Sequence, residues 1–151
     1  MQEQNWLKYG VIALAAVGLI ILIGLAFTAG GDLENKAWFV EEMTVDGQTS
    51  APLEGTVMTA TFEDGTVAGI ATCNNYFGSY ETKRGQISIG QLGTTLMACV
   101  GVPGSDAQEA AFLGLLESAD RFDVDGETLT LESDGEVVLR FAEAVPEQFE
   151  G

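Results

Sequence analysis

Histidine is absent from all 151 residues. Its absence removes the Ser-His-Asp and Cys-His nucleophile arrangements, and two cysteines alone make no ordinary zinc set. Those cysteines, Cys73 and Cys99, form no Cys-x-x-Cys motif and have no neighbouring base to lower a thiol pKa, so a redox-catalytic pair is not expected. Basic residues are equally scarce. Six lysines and arginines stand against 23 acidic residues, and the net charge of −17 repels nucleic acid and anionic membrane surfaces alike. The acidity fits plain solubility or a high-salt habitat in which self-repulsion is screened, and the low lysine content leans toward the second. No glycine loop has phosphate-cradling spacing, since Gly18 to Gly24 lies inside an aliphatic run. No cofactor is expected.

The first thirty residues are a separate object. No charge occurs from Tyr9 to Gly31, and Val11 to Phe27 is almost wholly aliphatic or small. A helix rising about 1.5 Å per residue needs roughly 20 apolar residues to cross the hydrocarbon, which this run supplies. Residues 9–29 are read as an uncleaved transmembrane anchor behind a cytoplasmic tail, 1–8. A cleaved signal peptide is the competing reading, with Ala26-Phe27-Thr28 and Thr28-Ala29-Gly30 as passable cleavage sites. No cysteine closes the run, so a lipoprotein anchor is not expected. Lys8 and the interfacial Trp6 and Tyr9 place the amino terminus inside and the domain outside the cell membrane.

All but Glu3 of the acidic residues and all but Lys8 of the basic ones lie from Asp32 onward, so this part carries the whole net charge. Residues 30–36 read as a linker, 37–141 as the domain and 142–151 as an acidic C-terminal tail. Within the domain the signal is mainly β. Met58, Ala60 and Phe62 alternate with Val57, Thr59 and Thr61. Asp64-Gly65 then suits a type I′ hairpin turn, with Val67 to Ala71 as the return strand. Asp125-Gly126 and Asp134-Gly135 punctuate a three-stranded meander ending at Phe141, Asp46-Gly47 offers a further turn, and Gln86–Gly90 reads as a strand.

One segment is helical instead. Ser105 and Gln108 have capping-box spacing, Asp106 and Glu109 suit the first turn, and Phe112, Leu115, Leu116 and Ala119 form one apolar stripe. The expected fold is α+β: a mainly antiparallel, curved or nearly closed sheet with one packed helix, preceded by the single transmembrane helix. Trp38, Phe62, Phe112, Leu115, Leu116, Leu129, Leu131, Leu139 and Phe141 are expected to form the core.

Cys73 and Cys99 lie 26 positions apart. In an oxidising compartment two cysteines in one domain usually pair, whereas in a reducing one they would be buried thiols acting as small hydrophobes. Around Cys73, Asn74, Asn75, Tyr76 and Tyr80 form a candidate ligand lip of amides and phenols over aromatic faces. The structural alternative has Asn74 bonding local backbone and Gly78 permitting a turn.

In order along the chain stand Trp38, Gly69 through Asn74, Phe77-Gly78-Ser79-Tyr80, Thr95-Leu96-Met97-Ala98-Cys99, a helix after Ser105, and Leu129 through Phe141. This series resembles the META domain, or HslJ-like, family. Thr72 departs from it, because the family more often has glycine before Cys-Asn, and the Pro103-Gly104 connection matches only loosely. The resemblance implies an envelope-associated or secreted domain, some members being tied to stress and antibiotic tolerance. It implies no catalytic residues.

Asp123-Val124-Asp125-Gly126-Glu127 fails as a calcium loop because its glycine comes too early. No metal site is expected. The reading is therefore a membrane-anchored, non-catalytic extracytoplasmic domain that serves envelope maintenance or stress tolerance by binding another envelope protein or ligand. The alternatives are a carboxylate-dependent glycan hydrolase and a structural accessory subunit of a membrane complex.

Overall fold

The computed structural model describes residues 32–143. The expected tail 1–8, the anchor 9–29 and most of the C-terminal tail lie outside them. Among the described residues no helix is long and apolar enough to cross a membrane.

Ten strands and one helix follow in order: β1 (Ala37–Val45), β2 (Gln48–Ser50), β3 (Thr59–Glu63), β4 (Thr66–Ile70), β5 (Asn75–Lys83), β6 (Gln86–Ile89), β7 (Gly93–Thr94), α1 (Ser105–Ser118), β8 (Arg121–Asp125), β9 (Thr128–Ser133) and β10 (Glu136–Ala142). Eight strands form a ring in the order β1-β3-β4-β5-β6-β8-β9-β10, closed by antiparallel pairing of β10 with β1. The short β2 and β7 pair outside that ring with β1 and β5. At one joint the ring is thin. β6 meets β8 only at Gln86↔Arg121, flanked by Ile87 N–H to Asp120 O at 3.1 Å and Phe122 N–H to Gly85 O at 3.0 Å.

Turn chemistry sets the registers. Asp46-Gly47, Asp64-Gly65 and Asp134-Gly135 each place both central residues at positive φ, which the type I′ turn requires. Arg84-Gly85 does the same without a sequence expectation. The β8–β9 turn differs from the expected Asp125-Gly126. Asp125 ends its strand and pairs with Thr128, so the turn is Gly126-Glu127 with Gly126 at φ 59°.

Strand alternation turns Trp38, Phe62, Leu129, Leu131, Leu139 and Phe141 inward, and α1 adds Phe112 and Leu116. Leu115, expected in the core, is only partly buried at its margin. The segment 32–36, expected as a linker, is built into the domain. Leu33 is buried and its carbonyl accepts Trp38 Nε1–H at 2.9 Å, while Asn35 N–H donates to Phe62 O at 3.2 Å. Lys36 bonds Glu143 at 2.8 Å, joining the two margins of the domain.

The barrel has two distinct ends. One carries the β3–β4, β5–β6 and β8–β9 turns together with residue 37, where β1 starts. The other carries the β1–β2 and β9–β10 turns, the Ala71–Asn74 connection and the long segment 90–104.

Candidate functional site: a loop framed by the disulfide

Sequence-distant residues converge where the Ala71–Asn74 connection meets the segment after β7. Cys73 and Cys99 are bonded to each other, with Cα atoms 5.4 Å apart. Asn74 is buried beside them, and its amide uses its whole hydrogen-bonding capacity. Oδ1 accepts Met97 N–H at 2.6 Å and the Thr95 hydroxyl at 2.9 Å, while Nδ2 donates to Met97 O at 3.1 Å and Glu109 Oε1 at 2.6 Å. The Glu109 Oε2 atom accepts the backbone N–H groups of both Cys73 and Asn74 at 2.8 Å.

Gln108, next to it, faces the other neighbouring loop. Its Oε1 accepts Leu53 N–H at 2.7 Å, and Nε2 donates to the Thr56 and Thr72 hydroxyls at 2.9 and 3.0 Å. The expected capping box is therefore not formed. Gly104, in the left-handed region at φ 87°, is the N-cap, and no side chain caps the helix. The Ser105 hydroxyl donates back to Val102 O at 2.8 Å. Tertiary partners take Gln108, and the upstream turn takes Ser105, so neither side chain that the local spacing assigned to capping caps the helix.

Thr72 is the strained point of this frame. Its φ of 99° lies where a β-branched residue is an outlier and glycine is at ease. The chain thus keeps a glycine-type turn with a threonine in it, and the hydroxyl so placed accepts from Gln108.

The frame holds out an apolar edge. Segment 90–104 contains no charged residue. Leu96 is 96% exposed, Val100 87% and Met97 60%. Phe77, on the outer face of β5, is 63% exposed, and Ile70 stands beside the same connection on β4. A cavity of about 280 Å³ opens between Thr56, Thr72, the disulfide and Val100.

The four candidate lip residues are not brought together. Asn75 is exposed, and its N–H donates to Thr95 Oγ1 at 3.1 Å. Tyr76 and Tyr80, four apart on β5, both point inward. Tyr76 packs edge-on to Phe112 with centroids 5.6 Å apart, and its hydroxyl donates to Thr59 O at 2.7 Å. Burial pushes its phenol pKa up. Tyr80 packs edge-on to Phe62 at 5.0 Å and donates to Glu34 towards the opposite end of the barrel. Burial first, and the Glu34 carboxylate second, push that phenol up to about 12. A larger open trough of about 710 Å³ runs past Glu34, Tyr80, Lys83, Ser88 and Asp120 at that end.

Chemically the frame is saturated. Cys73, Cys99 and Glu109 lie within metal-ligand reach of one another. The sulfurs, however, are bonded together, and the carboxylate already accepts three N–H groups, so the trio offers no ligand set. Among the described residues no buried side-chain polar atom lacks a partner. Sequence reasoning missed Gln108 and Glu109 as braces and Leu96, Met97 and Val100 as exposed. The one available signal was the uncharged run itself.

A META domain family model matches residues 31–145. The NMR structure of a protein from Burkholderia xenovorans is similar at 31% identity and a TM-score of 0.62, over 76% of this chain and 85% of that one. A second NMR structure shares the fold at 18% identity and a TM-score of 0.54, over 73% and 90% of the two chains. No curated protein matches the chain.

Proposed function

Because the chain belongs to the META domain family, we propose that it is a membrane-anchored, extracytoplasmic and non-catalytic binding domain, serving envelope maintenance or stress tolerance. The apolar run 9–29 supports the anchor, and the Cys73–Cys99 bond supports an oxidising compartment. One observation carries the binding function: a buried, fully bonded frame presents Leu96, Met97 and Val100 to solvent. Exposed apolar side chains grouped in one patch with a polar rim mark an interaction site. Engagement of Glu109 and Glu34 in internal hydrogen bonds speaks for binding over acid–base chemistry.

The test uses the full chain in native membranes, with thiols trapped at lysis and a photo-crosslinking residue at position 96 or, as a control, 123. The expected result is a bridged Cys73–Cys99 peptide, residues 9–29 still attached, and a discrete adduct from position 96 alone. Free thiols would remove the extracytoplasmic assignment. Equal labelling from both positions would remove the binding surface.

A further inference from the structure

The partner's chemistry can be read from what surrounds the apolar edge. No lysine or arginine occurs between Lys36 and Lys83, or between Arg84 and Arg121. Those two gaps contain the β1–β2 turn, the loop 51–58, the Ala71–Asn74 connection, segment 90–104 and α1. The remaining turn at this end, Asp134-Gly135, is acidic too. Glu54 and Asp106 are both exposed, and both adjoin residues near the C-terminal limb of the loop. Glu54 adjoins Gly55, which faces Val102, and Asp106 follows Ser105 in the wall of the cavity beside Val100. Lys36, Lys83 and Arg84 belong to the opposite end of the barrel.

An uncharged apolar patch with a rim of one sign selects its occupant by charge complementarity. A second copy would oppose two acidic rims across the same patch. An anionic lipid surface would meet the same repulsion. Resting on the binding function proposed above, we infer that the Leu96–Val100 edge takes a protein segment whose apolar side chains are flanked by lysines or arginines. The apolar contacts supply the anchor. The rim sets which segment is admitted.

Three fluorescent ten-residue peptides test this against the full chain in zwitterionic nanodiscs, read by anisotropy: alternating Leu-Lys, alternating Leu-Glu and alternating Ser-Lys. The Leu-Lys peptide is expected to bind at least about 10-fold more tightly than either control, and Leu96→Ser with Val100→Ser to weaken it about 10-fold. Glu54→Gln with Asp106→Asn, or 0.5 M NaCl, is expected to weaken it by about 3-fold or more. Thermal melts of each variant establish that the barrel is intact.

Equal binding of Leu-Glu through Leu96 and Val100 overturns the basic partner while leaving the binding surface standing. Binding of Leu-Lys that ignores Leu96→Ser and Val100→Ser overturns both. Absence of binding by all three peptides overturns recognition of an exposed linear segment. Self-association that disappears with Leu96→Ser and Val100→Ser assigns the edge to a second copy instead.

Discussion

One carboxylate, Glu109, holds Asn74 from two sides, accepting its backbone N–H at Oε2 and its side-chain amide at Oε1. The two residues are 35 positions apart, so the N-terminal half of α1 is joined directly to the connection between β4 and β5. Through Asn74 the bond continues to Met97 and Thr95. The exposed loop is thereby fixed to the helix by polar contacts alone, independently of the disulfide.

Asn74→Ala should be among the most damaging single substitutions. It removes four side-chain hydrogen bonds and leaves Met97 N–H and one Glu109 oxygen without partners. A cost of about 2–4 kcal/mol is expected from that many buried polar losses. Urea unfolding gives the figure, and faster amide exchange at Met97 locates it. A change below about 1 kcal/mol would show that the network is replaceable by water.

Cys73→Ser with Cys99→Ser should lower stability by about 3.5 kcal/mol, the loop-closure contribution of a bridge across 26 positions. Wild-type protein treated with reductant should melt at the temperature of the double variant. Identical midpoints for oxidised and reduced protein would contradict this.

At position 72 the usual order of alanine and glycine should invert. Both Thr72→Ala and Thr72→Gly lose the hydroxyl that accepts from Gln108. Only glycine relieves the strain of φ 99°, so Thr72→Gly should be the more stable of the two by about 1–2 kcal/mol. Equal stability, or the ordinary preference for alanine, would mean that the turn relaxes on substitution.

Alkaline pH should destabilise the domain through its inward tyrosines. The Tyr80 phenol titrates near 12 when folded and near its ordinary value of 10 when unfolded. The folded state therefore holds the proton more tightly between those values, and stability is full below pH 10 and falls above it. At pH 11 the stability gap between wild type and Tyr80→Phe should be about 1 kcal/mol smaller than at pH 8. Tyr76, whose phenol is also pushed up, should keep some pH dependence in the variant. A gap that does not change would remove the assignment.

What was legible in the sequence followed local periods. Alternation found Phe62 and the Leu129-to-Phe141 meander, the family resemblance supplied Trp38, and three of the Asp-Gly pairs turned as their φ requirement dictates. Arg84-Gly85 was hidden because an arginine seldom enters the left-handed region. Helical spacing found Phe112 and Leu116. The same local reasoning failed at Gln108, whose partners lie 36 to 55 residues away, because capping rules see only the adjacent turn. Tyr76 and Tyr80 look like surface aromatics among polar neighbours until β5 is known to alternate inward at those positions. Leu33 looks like linker until Trp38 needs an acceptor. The apolar edge was obscured because isolated Leu, Met and Val carry no period, and hydrophobicity alone does not distinguish a core from a contact.

The ring's two closures are of unequal strength. β1 and β10 are joined over four register pairs, from Phe39↔Ala142 to Met43↔Leu139, whereas β6 and β8 share one. The margins of a small domain usually begin to fray first, yet here the first and last strands are clasped to each other. Thermal opening should start at Gln86 and Arg121 and part the wall there while β1 and β10 stay locked. A circular permutant that links residue 143 to residue 32 and cuts the chain between Ser118 and Arg121 would place its new ends at the joint that already yields first.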